Sequence, residues 1–295
     1  MKKNEDIMLI EANEVIDQIT AGTSLAMDAT FVLPNSDRDA KAEYLAEHLP
    51  KAVYFDINAI AKPDAGLPHT MPDADEFTAM MRALGVHQDQ HVVVYDQSGF
   101  LSSARAWWMF RFFGHSNVSI LNGGIKAWKA GGGHTEQGKT TPTSGNFTAS
   151  SPLDGIRVLS LNEMISLVAS NDADRPMQIV DARAKGRFDG TAPEPRQGMA
   201  SGHMPGAINC PIGNLIDADS GYVKPIDALK HLFSDSGIAM DQPVVTTCGS
   251  GVTACGVAFG MALLGKTDVA IYDGSWTEWG SPDRDRTLCP VETNE

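Results

Sequence analysis

Cysteine is scarce, with four in 295 residues, and no Cys/His spacing suggests zinc. No metal or cofactor is expected. No stretch approaches the ~18 uninterrupted apolar residues of a membrane span. The opening Met1-Lys2-Lys3-Asn4-Glu5-Asp6 leads into only a short apolar run with no small-residue cleavage site after it. These absences set the expectation of a soluble, cytoplasmic protein whose thiols are reduced rather than built into a disulfide framework. Positive charge is also in deficit. Lys and Arg number 23 against 37 Asp and Glu, a formal net charge of −14. A field of that sign repels phosphate backbones and argues against nucleic-acid binding. It leaves room for a small anionic substrate, because a few arginines in a cleft reverse the local potential.

What the chain does have is an internal repeat. Four markers occur twice in the same order. Asp28-Ala29-Thr30 answers Asp181-Ala182-Arg183, and His48-Leu49-Pro50-Lys51-Ala52 answers His203-Met204-Pro205-Gly206-Ala207. The run Val92-Val93-Val94-Tyr95-Asp96 answers Val244-Val245-Thr246-Thr247-Cys248. Asn122-Gly123-Gly124 with Trp128 answers Asp273-Gly274-Ser275 with Trp279. Duplication of one fold is the simplest account. The expected domains are 1–145 and 155–295, with a Gly, Ser, Thr and Pro-rich linker over 131–154.

In each copy, short apolar β-branched runs alternate with longer helical patterns. The spacing predicts buried strands at 92–95, 178–180, 244–246 and 269–272, and helices at 76–84, 104–113, 161–169 and 226–233. The fold class implied is α/β, two tandem domains each with a mainly parallel sheet flanked by helices. Ligands in such sheets bind beyond the carboxyl ends of the strands.

One strand ends in a loop suited to chemistry. After 244–246 comes Cys248-Gly249-Ser250-Gly251-Val252-Thr253, followed by a helix of small and apolar residues over 254–264. Gly249 and Gly251 permit backbone angles that let successive amides curl inward. Such a nest, with the positive end of a helix beneath it, favours a thiolate or a persulfide anion at its centre. A buried structural cysteine is the bland alternative, but flanking glycines weaken a helix start and provide nothing to pack. At the twin position the first copy has Asp96, followed by Gln97-Ser98-Gly99. That copy is expected to have lost the chemistry and to wall the active site. Cys255 lies seven residues on, ~10 Å along a helix and beyond disulfide reach, so it is read as a core residue. Cys210 and Cys289 have no recognisable partner.

These residues resemble the tandem rhodanese-domain sulfurtransferases, most closely those acting on 3-mercaptopyruvate. The resemblance covers nearly the whole chain. It includes Leu67-Pro68-His69-Thr70-Met71-Pro72, Arg105-Ala106-Trp107-Trp108-Met109-Phe110-Arg111 and Pro193-Glu194-Pro195-Arg196-Gln197-Gly198. It ends with Asp273-Gly274-Ser275-Trp276-Thr277-Glu278-Trp279. Thiosulfate-using members carry basic residues just after the cysteine, whereas Gly249 and Ser250 are neutral. The resemblance implies that Arg187 and Arg196 bind the substrate carboxylate and keto oxygen. It implies that Gly249, Gly251, Val252 and Thr253 complete the donor site. Arg183 is read as structural, paired with an internal carboxylate.

The resemblance further implies a double displacement through a Cys248 persulfide, with pyruvate leaving and thioredoxin, glutathione or cyanide taking the outer sulfur. In the family a Ser–His–acid relay manages protons, and Ser250 and His69 match its first two members. Asn58, in Phe55-Asp56-Ile57-Asn58, stands where the acid is usual. Either the relay is weaker or a carboxylate such as Asp64 substitutes. Leu101-Ser102-Ser103-Ala104-Arg105 and Lys51 also depart from the family pattern. Three rivals remain at this point: a thiosulfate-preferring enzyme, a cysteine phosphatase, and a persulfide carrier without catalysis. The phosphatase loop needs an arginine six residues after its cysteine, and here that position is Ala254.

Overall fold

The computed structural model describes residues 7–34, 36–97, 102–153, 155–170 and 175–294. The expectations for residues 1–6, Ser98, Gly99 and Leu101 fall outside them. The chain divides into two units, Met1–Pro63 with Met71–Leu153 and Ile216–Val223, and Asp64–Thr70 with Asp154–Leu215 and Lys224–Glu295.

The first unit contains strands β1 (Leu9–Ile10), β2 (Ser24–Asp28), β3 (Val53–Tyr54), β4 (His91–Tyr95) and β5 (Val118–Leu121). Helices α1 (Ala12–Ala21), α2 (Ala40–Ala46), α3 (Ala74–Ala83), α4 (Ser103–Phe112) and α5 (Gly124–Ala130) are interleaved with them. The second unit has β6 (Val158–Leu159), β7 (Gln178–Asp181), β8 (Ile208–Asn209), β9 (Val244–Thr247) and β10 (Ala270–Tyr272). Its helices are α6 (Leu161–Ala169), α7 (Lys185–Asp189), α8 (Ile226–Asp235), α9 (Ala254–Leu263) and α10 (Ser275–Trp279). The sheet orders are β1-β5-β4-β2-β3 and β6-β10-β9-β7-β8, and every pair is parallel. Position for position the orders coincide, so the repeated markers do correspond to a repeated fold.

Parallel strands covered on both faces need apolar side chains on both, which is why β4 and β9 read as unbroken runs. All of β4 and β9 is buried. Helix α9 is buried at nine of its ten positions, so it carries no polar face. A Cβ on Gly260 would collide with Leu215 Cδ2, so this glycine lets α9 lie close to the 3-10 turn Ile212–Leu215.

The markers have physical roles. Trp128 and Trp279 are fully buried, and their indole N–H groups donate to the carbonyls of His134 and Pro290. His48 and His203 pair by backbone with Glu136 and Glu292, tying the end of each copy to its body. Gly206 has φ +72°, and Lys51 holds the same left-handed backbone at φ +55°. The segment expected as an exposed linker lies along the first unit. Gly145 N–H donates to the Arg82 carbonyl, Phe147 N–H to that of Val86, and the Phe147 ring is fully buried.

Between β9 and β7 the connections diverge, β7 leading outward to β8 and β9 to β10. That switch point is where α/β sheets open a crevice beyond their carboxyl ends. Cys248 follows β9 there, and Arg183 and Arg187 follow β7.

Candidate active site

Cys248 is 2 % exposed and sits between the end of β9 and the start of α9. Its peptide and the next are fixed from one side. The Cys248 carbonyl accepts from Trp276 N–H at 3.0 Å and the Gly249 carbonyl from Thr277 N–H at 2.9 Å. In a trans peptide the N–H points opposite its carbonyl, so the Gly249 and Ser250 N–H groups point away from α10 and across the loop. Gly251 closes the turn at φ +79°, and its carbonyl accepts from the Cys255 thiol at 3.2 Å. The N-terminus of α9 lies beyond, adding its partial positive charge.

The two glycines differ in their reason. Both were expected to supply unusual backbone angles, yet only Gly251 adopts a left-handed one. Gly249 is needed for space: a Cβ there would lie 3.1 Å from Arg187 Nη2. The Arg187 guanidinium therefore packs over the cysteine loop.

Arg187 belongs to α7, which ends at Gly190 with φ +84°. Its Nη2 donates to Glu194 Oε2 at 2.6 Å and its Nε to Oε1 at 3.1 Å. Glu194 Oε1 also accepts from Arg183 Nη1 at 2.8 Å. Arg183 is wholly buried, chelated by Asp181 and stacked 4.1 Å from the Trp276 ring centroid. This is the structural role expected of it. Arg196 is half-buried and makes no hydrogen bond or ion pair among the described residues. Burial and the neighbouring Arg187 charge lower its pKa, against the opposing pull of Cys248 and Glu194. Arg187, Arg196 and Cys248 thus share one electrostatic neighbourhood, with Glu194 compensating part of the positive charge.

His69 reaches the same loop. Its Nδ1 lies 2.8 Å from Ser250 Oγ, and both residues are buried. It holds φ +61°, a conformation that costs a non-glycine residue about 1–2 kcal/mol. Asp64 is exposed. In the first unit, Asn58 is exposed and its N–H donates to Asp56. Val252 is buried, while Thr253 is half-buried and caps α9 without a side-chain hydrogen bond.

The twin loop of the first unit shows what replaces the thiol. Asp96 is fully buried, and its Oδ2 accepts from Ser102 N–H and Ser103 N–H, both at 3.1 Å. A carboxylate occupies the amides that open α4. Nearby, Asp28 has Thr30 and Gln97 as partners where Asp181 has Arg183.

Cys210 is buried and its thiol is pushed up to about 11 by desolvation. Burial also raises Cys289, and Cys255 is a core residue with no exposure. Among the described residues no group of His, Cys, Asp and Glu is placed to hold a metal ion, and no helix is long and apolar enough to cross a membrane.

Two residues of this site were not singled out from sequence. Glu194 stood in the Pro-Glu-Pro-Arg run, and Ser275 in the repeated Asp-Gly-Ser marker. Ser275 is fully buried at φ +48° and its Oγ accepts from Cys248 N–H at 3.2 Å.

The rhodanese-like domain family matches residues 12–131 and 162–282. The chain is 42% identical over 255 residues to the 3-mercaptopyruvate sulfurtransferase of Homo sapiens, covering 86% of this chain and 84% of that one. It is 39% identical over 289 residues to thiosulfate/3-mercaptopyruvate sulfurtransferase 1, mitochondrial, of Arabidopsis thaliana, covering 91% and 74%. The crystal structure of SseA from Escherichia coli, described as a 3-mercaptopyruvate sulfotransferase, superposes with a TM-score of 0.81 at 35% identity, covering 92% of this chain and 99% of that one. The chain belongs to the rhodanese-like family, as a two-domain sulfurtransferase of the 3-mercaptopyruvate sulfurtransferase group.

Proposed function

We propose that the enzyme takes sulfane sulfur from 3-mercaptopyruvate onto Cys248 and passes it to a thiol such as thioredoxin or glutathione, or to cyanide in an assay. The observation that carries this reading is the pairing of a neutral Gly249-Ser250 step after the cysteine with the Arg187 guanidinium packed against Gly249, so close that an alanine methyl there would lie 3.1 Å from its Nη2. The positive charge comes from a side chain lying against Gly249 rather than from the residues that follow the cysteine, an arrangement suited to a carboxylate and a keto oxygen rather than to a sulfonate bonded to the transferred sulfur.

The steps follow from these groups. The Cys248 thiolate attacks the substrate sulfur, and the carbon–sulfur bond breaks with its electron pair moving to carbon. Arg187 and Arg196 stabilise the enolate oxygen that forms. The proton of the substrate thiol passes through Ser250 and His69, and the enolate takes a proton at carbon to become pyruvate. Cys248 now carries the persulfide, held by the Gly249 and Ser250 amides. An acceptor thiolate attacks the outer sulfur, the sulfur–sulfur bond breaks, and the Cys248 thiolate returns.

The catalytic residues on this reading are Cys248, Ser250 and His69. Arg187 and Arg196 bind the donor, and Gly249, Gly251, Val252 and Thr253 shape its site. A cytoplasmic location is part of the same reading, and cell fractionation tests it. The Arabidopsis relative carries thiosulfate in its name, so both donors belong in one assay, with mercaptopyruvate expected to turn over faster. Mass spectrometry after exposure to mercaptopyruvate is expected to show one added sulfur on Cys248 and none in Cys248→Ser. An unmodified wild type, or faster turnover of thiosulfate, overturns the reading.

A further inference from the structure

Ser275 holds a backbone that its twin assigns to glycine. It opens α10 at φ +48°, and Gly124 opens α5 at φ +57° in the corresponding place. The fold therefore asks for a left-handed residue here in both copies. Glycine meets that demand without strain, whereas serine does not. Strain of this kind persists where the side chain has a task.

The hydroxyl has a full set of partners. It donates to the Tyr272 carbonyl at 2.8 Å. It accepts from Cys248 N–H at 3.2 Å and from Thr247 Oγ1 at 3.3 Å. One donor and two acceptor sites are all that a hydroxyl offers. The two residues after it, Trp276 and Thr277, hold the carbonyls of Cys248 and Gly249. Three backbone groups of the cysteine loop, the Cys248 N–H and the carbonyls of Cys248 and Gly249, are thus held from the first turn of α10, and the Ser275 hydroxyl holds the N–H.

We propose that Ser275 is a positioning residue for Cys248. It acts through the backbone rather than on substrate, keeping the loop turned so that the Gly249 and Ser250 amides face the sulfur. The inference rests on Cys248 being the sulfur-carrying thiol.

The test compares full-length wild type, Ser275→Gly and Ser275→Ala. Iodoacetamide alkylation of Cys248, located by peptide mass, is followed from about pH 5 to about pH 10, together with kcat and KM for mercaptopyruvate. Both variants are expected to displace the alkylation profile to higher pH and to lower kcat roughly 10-fold with KM little changed. Ser275→Gly, which suits the backbone, is expected to keep a higher thermal midpoint than Ser275→Ala and decides the matter if Ser275→Ala folds poorly. A wild-type alkylation profile in Ser275→Gly overturns the proposal, as does a fall in kcat with the profile unmoved. Iodoacetamide needs no sulfur donor, so a wrong donor assignment is seen separately as a wild type that gains no sulfur from mercaptopyruvate.

Discussion

His69 Nδ1 and Ser250 Oγ meet at 2.8 Å although 181 residues separate them in the chain. Sequence residues 64–70, which contain His69, cluster with the second unit rather than with the residues on either side of them. A segment drawn out of the first half therefore equips the second. Its histidine pairs with the hydroxyl two residues after the cysteine, close enough to exchange a proton with it.

If that pair moves the proton, removing either member is expected to lower kcat for pyruvate release ~100-fold, within the usual span of general acid–base catalysis. His69→Asn suits the left-handed backbone and tests the imidazole without added strain. The double variant with Ser250→Ala is expected to be no slower than the worse single one, because groups acting as a unit are not additive. Steady-state pyruvate assays on the three variants check this.

Glu194 joins a fully buried arginine to a partly buried one, at 2.8 Å from Arg183 and 2.6 Å from Arg187. Glu194→Gln keeps the shape and removes the charge. KM for mercaptopyruvate is expected to change roughly 10-fold as Arg187 loses its anchor. Stability is expected to fall by about 1–3 kcal/mol, since the buried Arg183 keeps Asp181 as its one carboxylate partner. Kinetics and denaturant melts read the two effects apart.

The glycines of the loop are expected to fail differently. Gly249→Ala places a methyl 3.1 Å from Arg187 Nη2, so it should raise KM with little loss of stability. Gly251→Ala forces a side chain onto φ +79°, at a cost of about 1–2 kcal/mol, and should lower the melting temperature and kcat together. Equal profiles for the two variants would refute this division of roles.

The first unit carries two buried groups with opposite pH responses. Burial raises Asp28 from 3.8 to about 6. Its folded form binds a proton more tightly, so stability is lost as pH rises from ~4 through ~6. Burial lowers His91 from 6.5 to about 4. Stability there is present above ~6.5 and lost as pH falls towards ~4. Each swing is worth about 3 kcal/mol, so they largely cancel. His115, also lowered by burial, adds to the histidine side. Asp28→Asn is expected to make unfolding of the first unit acid-sensitive below pH ~6.5, and His91→Gln to make it more stable on acidification. Urea titrations at several pH values check both slopes.

Much of this was legible beforehand for a physical reason. Buried parallel strands are continuous apolar runs, so β4, β7, β9 and β10 stand out within one residue of their ends. The cysteine loop stands out because its glycines suit neither neighbouring element. The two-residue strands β3 and β8 do not, since such short stretches carry no period. Helix α7 was missed because Lys185–Asp189 is a single turn with one buried side chain, Phe188. Residues 131–154 read as a linker by composition, but backbone bonds from Gly145, Phe147 and Ser150 to Arg82, Val86 and Phe113 hold their second half down, and backbone groups leave no trace in side-chain chemistry. Glu194 and Ser275 were visible as letters in a motif. Their roles depend on distances that only the fold supplies.

Asp96 in the first copy has one more implication. Its carboxylate is tethered to the amides it occupies, so any free anion competes against a ligand that is present at very high effective concentration and never diffuses away. If Cys248 is the sulfur-carrying thiol, the first copy therefore has no anion site to offer, and the two-copy chain is expected to load one transferable sulfur per polypeptide rather than two, which mass spectrometry of the intact protein reads directly.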